Sequence, residues 1–261
     1  MDDWRIESWF IKPEKLFNLT EKVIIVTGGA SGLGRAIALG TAAFGAKVVI
    51  ADINQEGAKQ VAGEIDGEKL VLRVDVTKLR DIRRMVEETR RRFGRIDVSF
   101  NIPGINVRKP ALELSKRVWD EVVSFNLNTI FYCAREVGKV MLRQKKGSMI
   151  NMASARALVG GIAQSPYSAS KGGISQLTKC LAAEWAPHVR VNALAPGYIE
   201  TQLVREMMKN DDWYTSMKQK HLLSRFGRPE EVVGAAIFLA SDASSFVTGS
   251  VLCVDGGWTA I

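Results

Sequence analysis

The chain has 261 residues, 46% of them hydrophobic and 25% charged, with a formal net charge of +8. That is enough chain for one well-buried α/β domain. No apolar run approaches the roughly 20 residues of a membrane span, and Asp2, Asp3 and Glu7 among aromatics do not have the basic-then-apolar layout of a secretion signal, so a cytoplasmic protein without a membrane partner is expected.

Residues 1–15 read as an N-terminal extension carrying Trp4, Trp9 and Phe10, which is expected to pack on its own domain or on a neighbouring subunit because exposed aromatics are a liability. From residue 16 to 261 short apolar, β-branched runs alternate with helical patterns. The run Val23–Val26 is followed by Thr27-Gly28-Gly29-Ala30-Ser31-Gly32-Leu33-Gly34 and a helix over 33–44. Glycines at a strand-to-helix turn allow close backbone approach to a pyrophosphate, and the free N–H groups and dipole of the next helix attract that anion. Gly28, Ser31, Gly32, Leu33 and Gly34 are therefore candidate cofactor residues, although the spacing Gly-x-x-x-Gly-x-Gly differs from the Gly-x-Gly-x-x-Gly dinucleotide fingerprint.

A second strand, 48–50, leads to Asp52, where the fingerprint places an acid on the adenosine ribose. A carboxylate accepts from both ribose hydroxyls and repels a 2′-phosphate. No basic residue stands at Ala30, Ser31 or Ile53, which favours NAD over NADP; the alternative is an Asp that merely caps the next helix. A helix over 55–65 and a strand over 70–74 follow. The helix over 78–93 holds much of the positive charge, in Arg80, Arg83, Arg84, Arg90, Arg91 and Arg92, with Ile82, Met85, Val86 and Phe93 at helical spacing. This describes a solvated outer face, and without stacking aromatics or a recognition motif no nucleic-acid partner is expected.

Strand 96–100, a long helix over 116–143 and strand 148–152 come next, then a helix over 167–185 opening on Tyr167 and Lys171, strand 190–194, an irregular stretch over 197–228, a helix over 229–240 and strand 250–254. Seven strands separated by helices predict a three-layer, doubly wound, Rossmann-like α/β domain with a mostly parallel sheet. The stretch 197–228, with Met207, Met208, Trp213, Tyr214 and Met217, reads as a substrate-binding segment or as packing onto the body. Cys133, Cys180 and Cys253, and His188 and His221, lack metal-ligand spacing, so no metal is expected.

Tyr167 and Lys171, four apart, share a helix face. A phenol is a weak base at neutral pH, and a nearby ammonium favours phenolate, so the pair suits removal of a proton from an alcohol, or its delivery to a ketone. Alone the pair is a common pattern.

With Thr27–Gly34, Asp75-Val76, Asn126, Ser154, Tyr167-Ser168-Ala169-Ser170-Lys171 and Pro196-Gly197 in one order, the chain from about residue 17 to its end resembles the short-chain dehydrogenase/reductase family, as do Arg225–Glu231 and Thr248-Gly249 with Val254–Gly257. The resemblance implies that Ser154 orients the substrate oxygen and that Asn126 holds a water against Lys171. It also implies that Lys171 and Tyr167 meet the nicotinamide ribose, that Asp52 and Ile53 flank the adenosine ribose, and that Asp75 and Val76 meet adenine. Asn101 and Gly104 would floor the site, and Pro196, Gly197, Ile199 and Thr201 would surround the nicotinamide carboxamide. Where the family has Asn-Asn-Ala-Gly, this chain has Asn101-Ile102-Pro103-Gly104, which removes a side-chain amide and a backbone donor and puts the support of the fourth strand in question.

Within the family the chain is similar to gluconate 5-dehydrogenase and 2-deoxygluconate 3-dehydrogenase types, implying a small alcohol or ketone substrate of sugar, sugar-acid or polyol character, and a homotetramer. A 3-oxoacyl-carrier-protein reductase or another carbonyl reductase is the alternative, and a silent NAD-sensing protein a further one. Arg156 and Tyr198 are candidate substrate residues, Arg156 through a substrate carboxylate.

Overall fold

The β-branched runs assemble into one parallel sheet because each is apolar at nearly every position and needs cover on both faces. The computed structural model describes residues 13–260; the expectation for Trp4, Trp9 and Phe10 lies outside them. In chain order the elements are α1 (Pro13–Leu16), β1 (Val23–Thr27), α2 (Gly32–Ala43), β2 (Lys47–Asp52), α3 (Gln55–Gly63), β3 (Lys69–Arg73) and α4 (Leu79–Phe93). They continue as β4 (Val98–Asn101), α5 (Lys116–Val123), α6 (Thr129–Gln144), β5 (Gly147–Met152), α7 (Ser165–Trp185) and β6 (Val189–Pro196). The chain closes with α8 (Gln202–Met208), α9 (Asp211–Lys218), α10 (Pro229–Ala240) and β7 (Val251–Val254).

The strand order is β3-β2-β1-β4-β5-β6-β7, all neighbours parallel. The chain thus reverses its direction of growth between β1 and β4. Alternate residues divide the interior: Ile24, Val26, Val48 and Ile50 pack under α2, α3 and α10, while Val23, Ile25, Val49 and Met149 pack under α4, α6 and α7. Among the described residues no helix is long and apolar enough to cross a membrane.

Two expectations need correction. Strand β4 starts at Val98, because Ile96 and Asp97 are used as connectors: the Ile96 N–H donates to Gln144 Oε1 at 3.0 Å, and Asp97 Oδ2 accepts from the Val23 N–H at 2.9 Å. The expected single helix over 116–143 is broken by a π-helical segment, Ser124–Asn128, between α5 and α6. Single π turns of this kind cost helix geometry and gather at functional sites, and this one contains Asn126. In the stretch 197–228, Met207, Met208, Trp213, Tyr214 and Met217 sit on two short helices, α8 and α9.

The fold's tight packing yields a prediction. A Cβ built on Gly138 of α6 would fall 2.6 Å from the Trp185 indole of α7. Gly138→Ala gains up to about 1 kcal/mol of helix propensity, but overpacking against a rigid ring costs about 1–3 kcal/mol. The variant is expected to be destabilised, read as a lower urea midpoint at unchanged m-value.

Candidate active site

In open parallel sheets ligands lie beyond the carboxyl ends of the strands, where the strand order reverses. A cleft of about 760 Å³ opens there, between the ends of β1 and β4. Its first wall is the turn after β1. Gly28 and Gly32 take left-handed conformations, with φ of +71° and +53°, which glycine adopts without steric cost. The Gly28 N–H donates to the Ala51 carbonyl at 2.8 Å, tying the turn to β2. At Gly34 a Cβ would fall 2.0 Å from the Gly28 carbonyl oxygen, so the first turn of α2 can close on the loop only without a side chain. Ser31, the N-cap of α2, bonds none of the helix N–H groups through its hydroxyl, and no acid sits in the first turn. The N-terminus of α2 thus keeps free donors facing the cleft, a cradle that fits a dinucleotide pyrophosphate.

Asp52 ends β2 on the same wall. Its Oδ2 accepts from the Ala30 N–H at 3.0 Å and its Oδ1 from the Asn54 N–H at 2.9 Å, which fixes the carboxylate beside the glycine turn. Beyond β3, Asp75 accepts from the Thr77 hydroxyl and N–H and lies 3.2 Å from Lys78. The Thr77 hydrogen bond, ahead of the Lys78 charge, holds its carboxyl below the ordinary value. Val76 and Ile53 also line the cleft. Among the described residues that line it, Lys171 is the sole base, against Asp52, Asp75 and Glu206.

The opposite wall comes from β5 and α7. Ser154 follows β5; its Oγ accepts from the Arg156 N–H at 3.1 Å, so its own proton is free to point elsewhere. Tyr167 lies in the first turn of α7 and Lys171 one turn on. Lys171 is 2% exposed; its Nζ donates to the Met152 carbonyl at 2.7 Å and sits 5.7 Å from the centre of the Tyr167 ring. Burial pushes this amine down to about 8. Burial also raises the Tyr167 phenol. The Ser154 hydroxyl pulls it back in part, Tyr198 raises it, and the charges of Arg156 and Arg108 lower it.

Asn126 is fully buried behind this wall. It grips the 105 peptide from both sides, Oδ1 accepting from the Ile105 N–H at 2.7 Å and Nδ2 donating to the Ile105 carbonyl at 2.9 Å. Nδ2 also donates to Ser170 Oγ at 3.0 Å, and that hydroxyl donates to the Tyr167 carbonyl. Gly104 lies between the two groups: a Cβ there would stand 3.2 Å from Lys171 Nζ and 3.5 Å from Asn126 Oδ1.

Of the residues singled out from sequence, the cleft brings together Gly28, Ser31, Gly32, Leu33, Gly34, Asp52, Ile53, Asp75, Val76, Gly104, Ser154, Tyr167, Lys171, Pro196, Gly197 and Thr201. Two do not face it. Asn101 is fully buried in the sheet, donating to Asn151 Oδ1 at 2.9 Å and accepting from Ser99 Oγ at 3.1 Å, so its amide braces β4 against β5. Ile199 packs into the hydrophobic core and bridges to Gly227. The departure at Ile102-Pro103 is absorbed locally: the Ile102 N–H donates to Thr27 Oγ1 at 3.2 Å, and Pro103 packs on Gly28.

Sequence reasoning named Arg156 and Tyr198 but missed the group they join beside the cleft. Phe226, Tyr198 and Trp258 stack in sequence with centroids 5.1 and 5.3 Å apart, and the Arg156 guanidinium lies 4.3 Å from the Trp258 ring. Arg108 Nη2 donates to the Tyr198 hydroxyl at 3.0 Å. His221, 2% exposed, accepts from the Tyr198 N–H through Nε2 at 3.4 Å and contacts the Met217 carbonyl through Nδ1 at 3.0 Å, pinning α9 to this group. Burial holds that imidazole below its ordinary value, so it stays neutral. No residue spacing announces this group, since its members come from five separate segments.

A sheet of this order, with a glycine cradle at the reversal and a Ser-Tyr-Lys wall opposite, is the architecture of a nicotinamide-dependent oxidoreductase. Comparison with known proteins agrees. A family model described as enoyl-(acyl carrier protein) reductase matches residues 28–259. The chain is 39% identical to the NAD-dependent glycerol dehydrogenase of Listeria innocua, over 94% of this chain and 97% of that one. It is 36% identical to the gluconate 5-dehydrogenase of Gluconobacter oxydans, over 94% and 97%. A crystal structure of a gluconate 5-dehydrogenase from Burkholderia cenocepacia, in complex with NADP and tartrate, superposes with a TM-score of 0.88 at 33% identity, covering 95% of this chain and 99% of that one. The chain belongs to the short-chain dehydrogenase/reductase family and is an NAD(P)-dependent oxidoreductase acting on CH–OH groups.

The close approach at Gly104 yields a prediction. In Gly104→Val the branched side chain would drive into Lys171 Nζ and Asn126 Oδ1. Displacement of a catalytic-site group by about 1 Å costs about 100-fold in rate. Loss of that size in kcat/KM is expected, with a near-UV circular dichroism spectrum like the parent's.

Proposed function

We propose that the protein interconverts a secondary alcohol and a ketone on a sugar, sugar acid or polyol, with NAD preferred to NADP and Tyr167 as the general acid/base. The observation that carries the reading is the convergence of Ser154, Tyr167 and Lys171 on one wall of a cleft whose other wall is the glycine cradle. Glycerol and gluconate dehydrogenases at 36–39% identity support the substrate class. The 3-oxoacyl-carrier-protein reductase alternative is disfavoured by Asp52, since those enzymes usually take NADP.

The cofactor, when bound, supplies the hydride chemistry. It would lie along Gly28–Gly34 with its adenosine toward Asp52 and Asp75 and its nicotinamide toward Pro196, Gly197 and Thr201. Ser154 donates its hydroxyl proton to the substrate oxygen, since its own oxygen already takes the Arg156 N–H. Tyr167 takes the proton of the alcohol as the C–H bond breaks, and returns it to the oxygen in reduction. Lys171 would bond the ribose hydroxyls and stabilise the phenolate by its charge, with Asn126 holding the Ile105 peptide in place beside it. The same reading makes the protein a cytoplasmic homotetramer assembled through α5–α6, α7 and β7.

NAD preference rests on the lining. A 2′-phosphate would meet the Asp52 carboxylate with no cation beside it among the described residues. Like charges brought together this way cost several kcal/mol. The expected preference for NAD in kcat/KM is about 100-fold or more, and Asp52→Ser is expected to erase most of it by rescuing NADP. Equal use of both cofactors by the parent protein would overturn the preference.

The pH dependence follows from the shift at Tyr167. Burial raises the phenol, so the protonated form dominates at neutral pH and the basic form grows as pH rises. Alcohol oxidation is therefore expected to climb from neutral into alkaline pH, while ketone reduction stays flat near neutrality and falls only in the alkaline range. Tyr167→Phe is expected to lose about 100- to 10,000-fold in kcat in both directions. A variant that kept its rate, or profiles of the same sign in both directions, would remove Tyr167 from the role.

A further inference from the structure

We propose, resting on the sugar-type alcohol chemistry above, that Arg156 with Arg108 forms a carboxylate-binding subsite, so that the protein selects α-hydroxy acids such as aldonates over neutral polyols. Arg156 is held as a fixed cation. Its guanidinium caps the Phe226–Tyr198–Trp258 stack, and Nη1 donates to the Gly160 carbonyl. A planar guanidinium packed on an aromatic face loses little freedom when it meets an anion.

Arg35, Arg95 and Arg225 are paired with Glu64, Asp97 and Glu231. Among the described residues, by contrast, no carboxylate lies within ion-pair distance of Arg156 or Arg108. Arg156 Nε is buried with no partner. Its neighbour Gln164 is 3% exposed, and Oε1 is likewise buried and unpartnered. A Cβ on Gly161 would fall 3.0 Å from Arg156 Nε and 2.6 Å from Gln164 Oε1, so both groups press on one point of the loop between Ser154 and Tyr167. A cationic donor beside a spare acceptor matches a carboxylate with an adjacent hydroxyl. Unmet buried polar groups are costly unless a ligand satisfies them.

Arg108 supplies the second charge. It reaches the middle ring of the stack through the Tyr198 hydroxyl and lies 5.3 Å from the Trp213 ring. The Arg156 N–H meets Ser154 Oγ at 3.1 Å, so the guanidinium is carried on the loop that leaves the cleft wall at Ser154, beside a substrate whose carbinol oxygen is at Tyr167. Neither the glycine cradle nor Ser154 is needed for this contact, so it adds selectivity without changing the reaction.

The test measures kcat/KM with NAD for two matched pairs, D-gluconate with D-glucitol and D-erythronate with erythritol, in the parent protein, Arg156→Ala, Arg156→Lys and Arg108→Ala. The parent is expected to prefer the acids by about 10-fold or more. Arg156→Ala is expected to lose about 100-fold on the acids, chiefly through KM, and far less on the polyols, as removal of one partner of a charge-assisted pair does. Millimolar guanidinium should restore part of the loss. Arg156→Lys keeps the charge and should fall between. Arg108 is exposed, so Arg108→Ala carries the test, with a smaller loss on the acids, if Arg156→Ala does not bind NAD. Polyols preferred by the parent, or an equal loss on both members of a pair, would overturn the subsite and leave the sugar-alcohol reading standing. No turnover of either class would overturn both.

Discussion

An ammonium taken almost wholly out of water must be met by oxygen or give up its proton, and much of this active site is arranged around that demand at Lys171. The Met152 carbonyl supplies the oxygen from the end of β5. Gly104 supplies the room, since any side chain there would press on Nζ. Asn126 holds the 105 peptide in place beside it, and Ser170 joins Asn126 to the first turn of α7. Burial still draws the amine down to about 8, so it remains charged at neutral pH with little to spare. A base that titrates near the working range is more useful to a proton-transfer site than one fixed in its charged state.

The phenol responds to a different set of charges than the tyrosine–lysine pattern alone implies. Burial is the largest influence on Tyr167 and raises it; the Ser154 hydroxyl opposes this first, and the positive charges that add to it are Arg156 and Arg108. The bound cofactor would bring a further positive ring. The base is thus poised by what binds around it: oxidised cofactor favours its charged form, and an anionic substrate group neutralising the arginines would relax it. Binding and acid–base chemistry share the same few ångströms of low-dielectric space.

Most of the fold was legible because parallel strands buried on both faces leave a continuous apolar run with little ambiguity, as at Val23–Val26 and Val48–Ile50. The glycine turn was legible for a related reason: only glycine fits where Gly34 meets the Gly28 carbonyl, so the residue type records the geometry. What stayed hidden depends on side-chain direction or on contacts between distant segments. Asn101 and Ile199 sit next to cleft residues in sequence, but one points into the sheet and the other into the core. Arg156 and Tyr198 were named, but their union with residues 108, 226 and 258 has no local periodicity to read. The helix over 116–143 concealed its π segment because Ser124–Asn128 holds no glycine or proline to mark a break.

That π segment has a consequence for how the chain can change. A π turn carries one residue more than the α-turn it replaces, so Asn126 reaches the 105 loop only because the helix is locally overfull. Loss of a single residue between Ser124 and Asn128 would restore regular geometry at no cost to helix hydrogen bonding. Because a π turn absorbs its extra residue locally, the faces of α5 and α6 would keep their orientation, and the loss would fall on Asn126 and its grip on the 105 loop. Whatever side chains the rest of α5 and α6 accept, the residue count of the π segment is tied to Asn126, and a descendant of this chain that kept its chemistry would keep that count.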